Sequence, residues 1–516
     1  MGYTALVSLV VALGGFLMGF DSAVISGVVD PIRDRFEMTP GEVGTAVAIL
    51  TLGAAIAMGI AGPLADRFGR KPVLMVTAAL FSLSAVWSAL AGSYDELVLA
   101  RFIGGFGVGG ALIIAPMYIA EIAPPEKRGR LVSFNQLNIV LGFSAAFFSN
   151  YFLEKYFQGR TDDVTDIAWR WMLGVESIPA ILYLGMLATV PRSPRWLAMR
   201  GRFDEARVVL ARVSSEEEAD TALAEVRKNF ADSADSAGAR ELLHKRMRRV
   251  MVIGLGLGFF QQITGINAVF YYSTTIFSLT GVGRDAALAQ AILVGIVNVV
   301  FTIVAMRLID TKGRKPLLLV GTAMMTVALF TNAYAFRSAT YSLDADKVAT
   351  VTAEMEDPGA RAVAALTDQT YDDQAAFLAA LDEAAEANDG VEVVASVRAE
   401  LPKTALQING LLVLIAILTY IAAFAISLGP VMWAMFSEIF PARLRGAAIS
   451  AAGFFNSAVS FLVQKLFPVG LASIGPEGVF AVFGCFAALA FLFSLFVVPE
   501  TKGRSLEEIE AELIRG

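Results

Sequence analysis

The feature that most constrains this chain is a series of apolar stretches, each about as long as a bilayer is thick. They fall at about 3–29, 43–63, 72–92, 97–120, 131–153, 171–190, 250–278, 286–308, 316–336, 406–436, 444–466 and 478–498. A transmembrane helix needs about 20 predominantly apolar residues, so the pattern predicts an all-α membrane protein of twelve transmembrane helices. With 56% hydrophobic and only 17% charged residues, the chain carries more apolar side chain than soluble cores of this length bury. The first stretch is too long, and too poor in preceding positive charge, to read as a cleaved signal peptide.

Lysine and arginine set the orientation. With the N-terminus inside, 28 of the 41 fall on the inner side, 12 on the outer side, and Arg101 within a span. That bias predicts cytoplasmic N- and C-termini; Arg33 and Arg35, just beyond the first stretch, disagree locally and are outweighed. The layout is then a six-helix half at 1–190, a cytoplasmic helical linker at 191–249 with helical patterning at 204–230, a second six-helix half at 250–498, and a cytoplasmic tail at 499–516. The insert at 338–405, between spans nine and ten and so extracytoplasmic, holds fourteen acidic against four basic residues, a net −10 in a chain whose total is −7. Its Ala-rich run from Gly359 to Asn388 predicts one or two helices within a folded or partly folded cap.

Several chemistries are excluded. A single cysteine, Cys485, rules out a disulfide framework and multi-thiolate metal sites, and a single histidine, His244, rules out a His-rich zinc cage. The spaced glycines of GLGLGFF at 254–260 lie inside a span and not at a strand-to-helix turn, so no nucleotide site follows from them. No metal, cofactor or nucleic-acid partner is expected, and the chain reads as a monomer in a lipid bilayer.

The sequence repeats itself. Asp66-Arg67-Phe68-Gly69-Arg70-Lys71-Pro72 recurs as Asp310-Thr311-Lys312-Gly313-Arg314-Lys315-Pro316, and the Glu121 to Arg128-Gly129 segment recurs as Glu438 to Arg445-Gly446. Each copy sits at the same place in its half. Two parallel six-span halves with a substrate site between them at mid-membrane are the arrangement of major facilitator transporters. The segments GPLADRFGRK (62–71), RGRLVSFNQ (128–136), PRSPRWL (191–197), FFQQITGINAVFYYS (259–273), GPVMW (429–433) and PETKGRSLEE (499–508) together resemble the sugar porter family of the major facilitator superfamily. Bacterial xylose/proton symporters and proton-coupled inositol transporters are the nearest in pattern. The resemblance implies a secondary transporter, not an enzyme, importing a monosaccharide or polyol with a proton across the bacterial inner membrane. A passive hexose facilitator and a non-transporting sugar sensor are the alternatives.

Three charges lie at membrane depth: Asp21, Arg101 and Glu176. Such groups are costly there and mark function by default, although Asp21 and Arg101 also read as a purely structural pair. The resemblance implies that Asp21 accepts the proton, Arg101 is its counter-ion and Glu176 tunes it. Gln261, Gln262, Asn267 and Tyr271 cluster in span seven, where neutral donor–acceptor groups suit a ring of hydroxyls. In one regular helix Asn267 stands about 120° off the face of Gln261, so a break near Thr264-Gly265 is expected. Gln136, Asn298, Trp433 and Asn456 are added by resemblance. Ser457 and Ser460 depart from the family, which has an aromatic and an amide there, and point to a wider or more polar pocket. Met432 and Phe454-Phe455 either line it or pack the core.

By resemblance, Asp66, Arg67, Arg70, Glu121, Arg128, Asp310, Arg314, Glu438 and Arg445 form a cytoplasmic gate of ion pairs. Arg192 stands where the family usually has Glu, so one pair of that gate is in doubt.

Overall fold

The computed structural model describes residues 3–123, 125–158, 160, 164–213, 244–353, 355, 357–391, 393–394, 398, 401–441, 444–504 and 506–515. Residues 214–230 of the expected linker helix fall outside these.

Among the described residues, ten helical segments are long and apolar enough to cross a membrane. Spans 1 to 4 are Tyr3–Arg35, Pro40–Phe68, Arg70–Leu90 and Tyr94–Ile122; spans 6 to 10 are Asp166–Thr189, Arg248–Tyr271, Arg284–Lys312, Arg314–Arg337 and Gly410–Ile439. The helix Pro125–Phe157 supplies span 5. The last helical segment, Arg445–Phe496, has 52 residues and a non-helical φ of 68° at Gly475. The rings of Phe467 and Phe483 stack 6.2 Å apart, whereas a straight helix would separate them by about 24 Å. The segment therefore folds back on itself as spans 11 and 12, and the twelve expected helices are present.

Local chemistry fixes several of the ends. Thr39 opens span 2 with a capping box, its hydroxyl accepting the Glu42 N–H while Glu42 accepts the Thr39 N–H. Span 1 runs six residues past the apolar stretch, so Arg33 and Arg35 sit in its last turn, where cations complement the helix dipole. There they pair with Asp30 at 3.2 Å and Asp166 at 3.0 Å. Both cations thus have a structural role at this helix end. Three spans break where their backbone faces the centre: span 6 at Val175-Glu176, span 7 at Thr264-Gly265 and span 10 at Ser427. Gly265 has φ 93°, a left-handed conformation that side chains resist. The break expected in span 7 is thus observed.

The halves meet through spans 2 and 11 and spans 5 and 8. Spans 2 and 11 touch backbone to backbone, since a Cβ on Gly44 would lie 2.0 Å from the Lys465 carbonyl oxygen.

The insert is a folded cap. Strand β1 (Thr340–Ser342) pairs antiparallel with β2 (Thr370–Tyr371) and β3 (Leu406–Gln407) on its two edges. Helices Ala345–Thr352, Asp357–Ala364 and Gln374–Ala387 cover the sheet and bury Leu343, Val363, Phe377 and Leu381 with Leu401 in a core of their own. Leu406 belongs to this sheet, so span 10 starts at Gly410 and not at 406. Between the cap and the ends of spans 1 and 8 lies a chamber of about 1380 Å³, lined by Asp30, Arg33, Asp166, Arg284, Tyr341 and Lys347 among others. That side of the molecule is called the insert face below, and the side with the repeated charged turns the linker face.

Candidate functional site

A second cavity, of about 210 Å³, sits between the halves. All eight expected substrate residues line it: Gln136, Gln261, Gln262, Asn267, Tyr271, Asn298, Trp433 and Asn456, joined by Ser457 and Ser460. Met432, Phe454 and Phe455 are not part of its lining; Met432 is buried behind Asn456, whose amide nitrogen lies 3.8 Å from the sulfur.

The break in span 7 positions the amides. The stretch up to Ile263 aims Gln261 and Gln262 at span 11, and the restart at Ile266 brings Asn267 back onto the same wall. Asn456 Nδ2 donates to Gln261 Oε1 at 2.8 Å and to the Gly258 carbonyl at 2.8 Å. Gln262 Nε2 donates to Gln261 Oε1 at 3.1 Å and Asn456 Oδ1 at 3.3 Å, while Asn267 Nδ2 donates to Gln262 Oε1 at 2.9 Å and Ser460 Oγ at 2.7 Å. Gln261 Nε2 donates in turn to the Leu428 carbonyl, 3.0 Å away at the break of span 10. At the break itself the Thr264 carbonyl accepts the Tyr420 hydroxyl at 2.9 Å, so the backbone freed by the broken helix is satisfied, as buried backbone groups require. Such a wall offers donors and acceptors without charge, beside the Trp433 ring, which suits a polyhydroxylated ring with apolar faces.

The expected charges also converge. Arg101 Nη1 stands 3.5 Å from Asp21 Oδ1 with both side chains buried, and Arg101 Nε donates to the Ala46 carbonyl of span 2 at 3.1 Å. Glu176, at the break of span 6, is buried and interacts electrostatically with both. Arg101 Nη2 and Glu176 Oε1 have no hydrogen-bond partner among the described residues, so this cluster holds unspent capacity to bond a proton carrier. It adjoins the pocket: Ser22, next to Asp21, lines the cavity, and the Tyr271 hydroxyl is within hydrogen-bonding reach of Ser22 and Thr51.

The family described as "Sugar (and other) transporter" matches residues 7–353 and 392–513. The chain belongs to this family of the major facilitator superfamily. It is a family of transporters, not enzymes. Similar curated proteins include the arabinose-proton symporter of Bacillus subtilis (strain 168), 32% identical over 99% of this chain and 95% of the relative. The D-xylose-proton symporter of Escherichia coli (strain K12) is 34% identical over 99% of this chain and 95% of the relative. An inward-open structure of the xylose transporter XylE from E. coli superposes with a TM-score of 0.76 at 32% identity, covering 99% of this chain and 100% of that one.

In this sugar transporter the bonds that join the halves run from the central cavity to the insert face. Arg284 Nε donates to Glu154 Oε1 at 2.8 Å and Arg284 Nη2 to the Gly27 carbonyl at 2.8 Å; Lys155 and Gln158 both reach Asp285, each at 2.5 Å. Thr51 Oγ1 donates to Gln464 Oε1 at 3.0 Å across spans 2 and 11. Sequence reasoning missed Glu154, Arg284 and Gln464. The first two fall in polar turns where any charge looks solvated, and Gln464 hides in the apolar run FLVQKLF.

The expected gate residues pair within each half. Arg70 Nη2 meets Glu121 Oε1 at 2.9 Å and Arg70 Nη1 meets Asp66 Oδ1 at 3.0 Å; in the other half Arg314 Nη2 meets Glu438 Oε1 at 2.7 Å and Asp310 Oδ1 at 3.7 Å. Arg67 lies over the Phe68 ring, 5.2 Å from its centroid. Arg445 Nε donates to the Phe440 carbonyl at 3.2 Å and so ties off a helix end, and no carboxylate pairs with it among the described residues. The Arg128 side chain lies outside the described residues.

Proposed function

We propose that this protein imports a monosaccharide together with a proton by alternating access of its two halves. The linker face and both termini are then cytoplasmic in a bacterial inner membrane, with residues 1–190 and 250–498 moving as the two halves, 191–249 linking them and 499–516 as the tail. The chain acts as a monomer in the bilayer. The observation that carries this reading is the shared wall of the two sites: Asp21 and Ser22 are neighbours, one in the charged cluster and the other in the amide-lined cavity.

The chemistry follows from the contacts. While ionised, Asp21 holds span 1 to Arg101 of span 4. A proton on Asp21 removes that attraction, whereas Arg101 keeps its bond to the span 2 carbonyl, so span 1 is freed to shift against its neighbours. Glu176, beside both, tunes the uptake. Substrate held by Gln136, Gln261, Gln262, Asn267, Tyr271, Asn298, Trp433 and Asn456 bridges the halves, and the loaded protein rocks. Each proton entering with the membrane potential contributes about 2.3 kcal/mol per 100 mV. The named substrates of the relatives favour an aldopentose or aldohexose. Ser457 and Ser460, which enlarge the polar wall, support a cyclitol as the second reading.

The test is uptake of labelled D-xylose, L-arabinose, D-glucose and myo-inositol into proteoliposomes, with and without an inward proton gradient. Wild type is expected to accumulate one class of sugar only with the gradient, and Asp21→Asn to equilibrate that sugar without accumulating it. Wild-type uptake indifferent to the gradient would make the protein a facilitator. Loss of exchange together with accumulation in the variant would make Asp21 and Arg101 a structural pair.

A further inference from the structure

Gln464 is fully buried in span 11 and belongs to none of the motifs that mark the family in this sequence. Its Oε1 accepts the Thr51 hydroxyl at 3.0 Å across the boundary between the halves. Its Nε2 donates to Ser460 Oγ, one helical turn back, at 2.7 Å, and its backbone carbonyl accepts the Tyr272 hydroxyl at 3.1 Å. Ser460 Oγ also accepts Asn267 Nδ2 at 2.7 Å. An unbroken line of hydrogen bonds thus runs from Gln261 through Gln262, Asn267, Ser460 and Gln464 to Thr51.

The directions of these bonds decide what the line does. A hydroxyl oxygen has two acceptor positions and one proton. At Ser460 both positions are filled, one by Asn267 and one by Gln464, which leaves the proton to be donated into the cavity that Ser460 lines. Gln464 holds this orientation while its own oxygen is engaged by Thr51. Thr51 is on span 2, so that engagement exists only while spans 2 and 11 are closed at the insert face. Once they part, the Gln464 amide loses its anchor and Ser460 is free to turn.

We propose that Gln464 is a positioning residue: it presents Ser460 to the substrate as a donor, matched to a sugar hydroxyl or ring oxygen, and it does so only when the insert face is shut. This makes affinity at the C-terminal wall depend on which face is open. The inference rests on the transport reading above. It places a specificity element where the sequence shows only a serine, because the amide that governs the site stands one turn further along the helix.

The experiment uses the full-length protein in proteoliposomes and whichever of D-xylose, L-arabinose, D-glucose and myo-inositol the wild type accumulates fastest. Gln464→Leu and Thr51→Val are each expected to raise the KM for counterflow exchange about three- to tenfold, the cost of one buried hydrogen bond, with the maximal exchange rate within about twofold. Because both act through one line of bonds, the double variant should be no worse than the worse single one. Thr51→Ser, which keeps the hydroxyl, should retain the wild-type KM. Ser460→Asn combined with Gln464→Leu, which moves the amide back one turn, should recover part of the lost affinity. An unchanged KM in Thr51→Val, or additive effects in the double variant, overturns the proposal; because Thr51 also reaches the Tyr271 hydroxyl, the double variant decides it, with Gln464→Met in place of Gln464→Leu if the latter does not fold. Wild type that accumulates none of the four sugars overturns the transport reading itself.

Discussion

The repeated turns on the linker face are built alike in the two halves except at one residue. In the N-terminal half Arg70 is held by Glu121, whose second oxygen accepts the Ser193 hydroxyl; in the C-terminal half Arg314 is held by Glu438, whose second oxygen accepts the Thr501 hydroxyl at 2.5 Å. Between each proline and hydroxyl, Pro191 and Ser193 or Pro499 and Thr501, stands the residue that differs. Glu500 accepts the backbone N–H groups of Arg314, Lys315, Thr501 and Lys502 at 2.8 to 3.1 Å and so caps the start of span 9. Gly313 permits this, since its φ is 94° and a Cβ there would come 2.7 Å from the Glu500 carboxylate. Arg192 makes no such cap. Its guanidinium lies 5.7 Å from the centre of the Trp196 ring, its charge acts on Lys71, and the Trp196 ring stands over Gly69 where the carboxylate would be. Two halves descended from one plan therefore hold the same helix junction by different means, an anionic cap on one side and a packed indole on the other.

The two junctions differ most at their buried pairs. Arg70 and Glu121 are each 5% exposed, whereas Arg314 and Glu438 are 15% and 20% exposed. Glu121→Gln leaves the buried Arg70 guanidinium with the exposed Asp66 as its remaining carboxylate and should destabilise the protein by about 1.5–3 kcal/mol. Glu438→Gln, with water at hand, should cost roughly half as much. Thermal unfolding in detergent compares them, and equal losses would deny the difference in burial.

Glu500→Gln is the next largest. Partial burial works to raise the Glu500 carboxyl, but the N–H groups of Lys502, Arg314, Lys315 and Thr501 outweigh it and hold the group below the usual carboxylate range. A depressed carboxylate stabilises the fold above its unfolded pKa of about 4.3, and that stability is lost as pH falls through its folded value. The variant should cost about 1 kcal/mol at pH 7, and the gap to wild type should close below about pH 4. A gap that stays constant between pH 7 and pH 3.5 would show that the cap does not depend on charge.

Arg192→Glu alters the N-terminal junction and has the smallest effect. It removes a cation facing Lys71, for a gain of a few tenths of a kcal/mol. A firmer N-terminal junction favours closure of the linker face. In a Cys485→Ser background, which removes the chain's one cysteine, a reporter introduced by Met58→Cys in the central cavity should then be labelled more slowly from the linker side. Faster labelling would mean that the indole, not the missing carboxylate, sets the latch.

What was legible in the sequence follows from contrast. Asp21, Arg101 and Glu176 stand out because their surroundings are apolar, and the structure brings the three together. The amides of span 7 were visible as a cluster, and Gly265 as the break that turns Asn267 onto their wall. Gln464 was not, because one amide beside Lys465 near the end of an apolar run looks like the edge of a helix. The cap's sheet was equally hidden. Strands such as Thr370–Tyr371 and Leu406–Gln407 are too short to show alternation, and they become strands only by pairing with Tyr341 between them. The matching of Glu500 with Arg192 shows only in space, where the two turns meet equivalent helix junctions.

The cap changes what the closed insert face encounters. Arg284, which locks that face through Glu154, is also part of the wall of the chamber beneath the cap, about 1380 Å³ in volume. When the lock opens, a solute bound for the amides passes through this chamber, whose wall carries Asp30 and Asp166 beside Arg33, Arg284 and Lys347. Polar contacts made with that wall precede those at the amides and add the cap to the capture step. Replacing residues 340–403 by a short Gly/Ser link should raise the KM for uptake while leaving the maximal rate in place, and an unchanged KM would reduce the chamber to a passage.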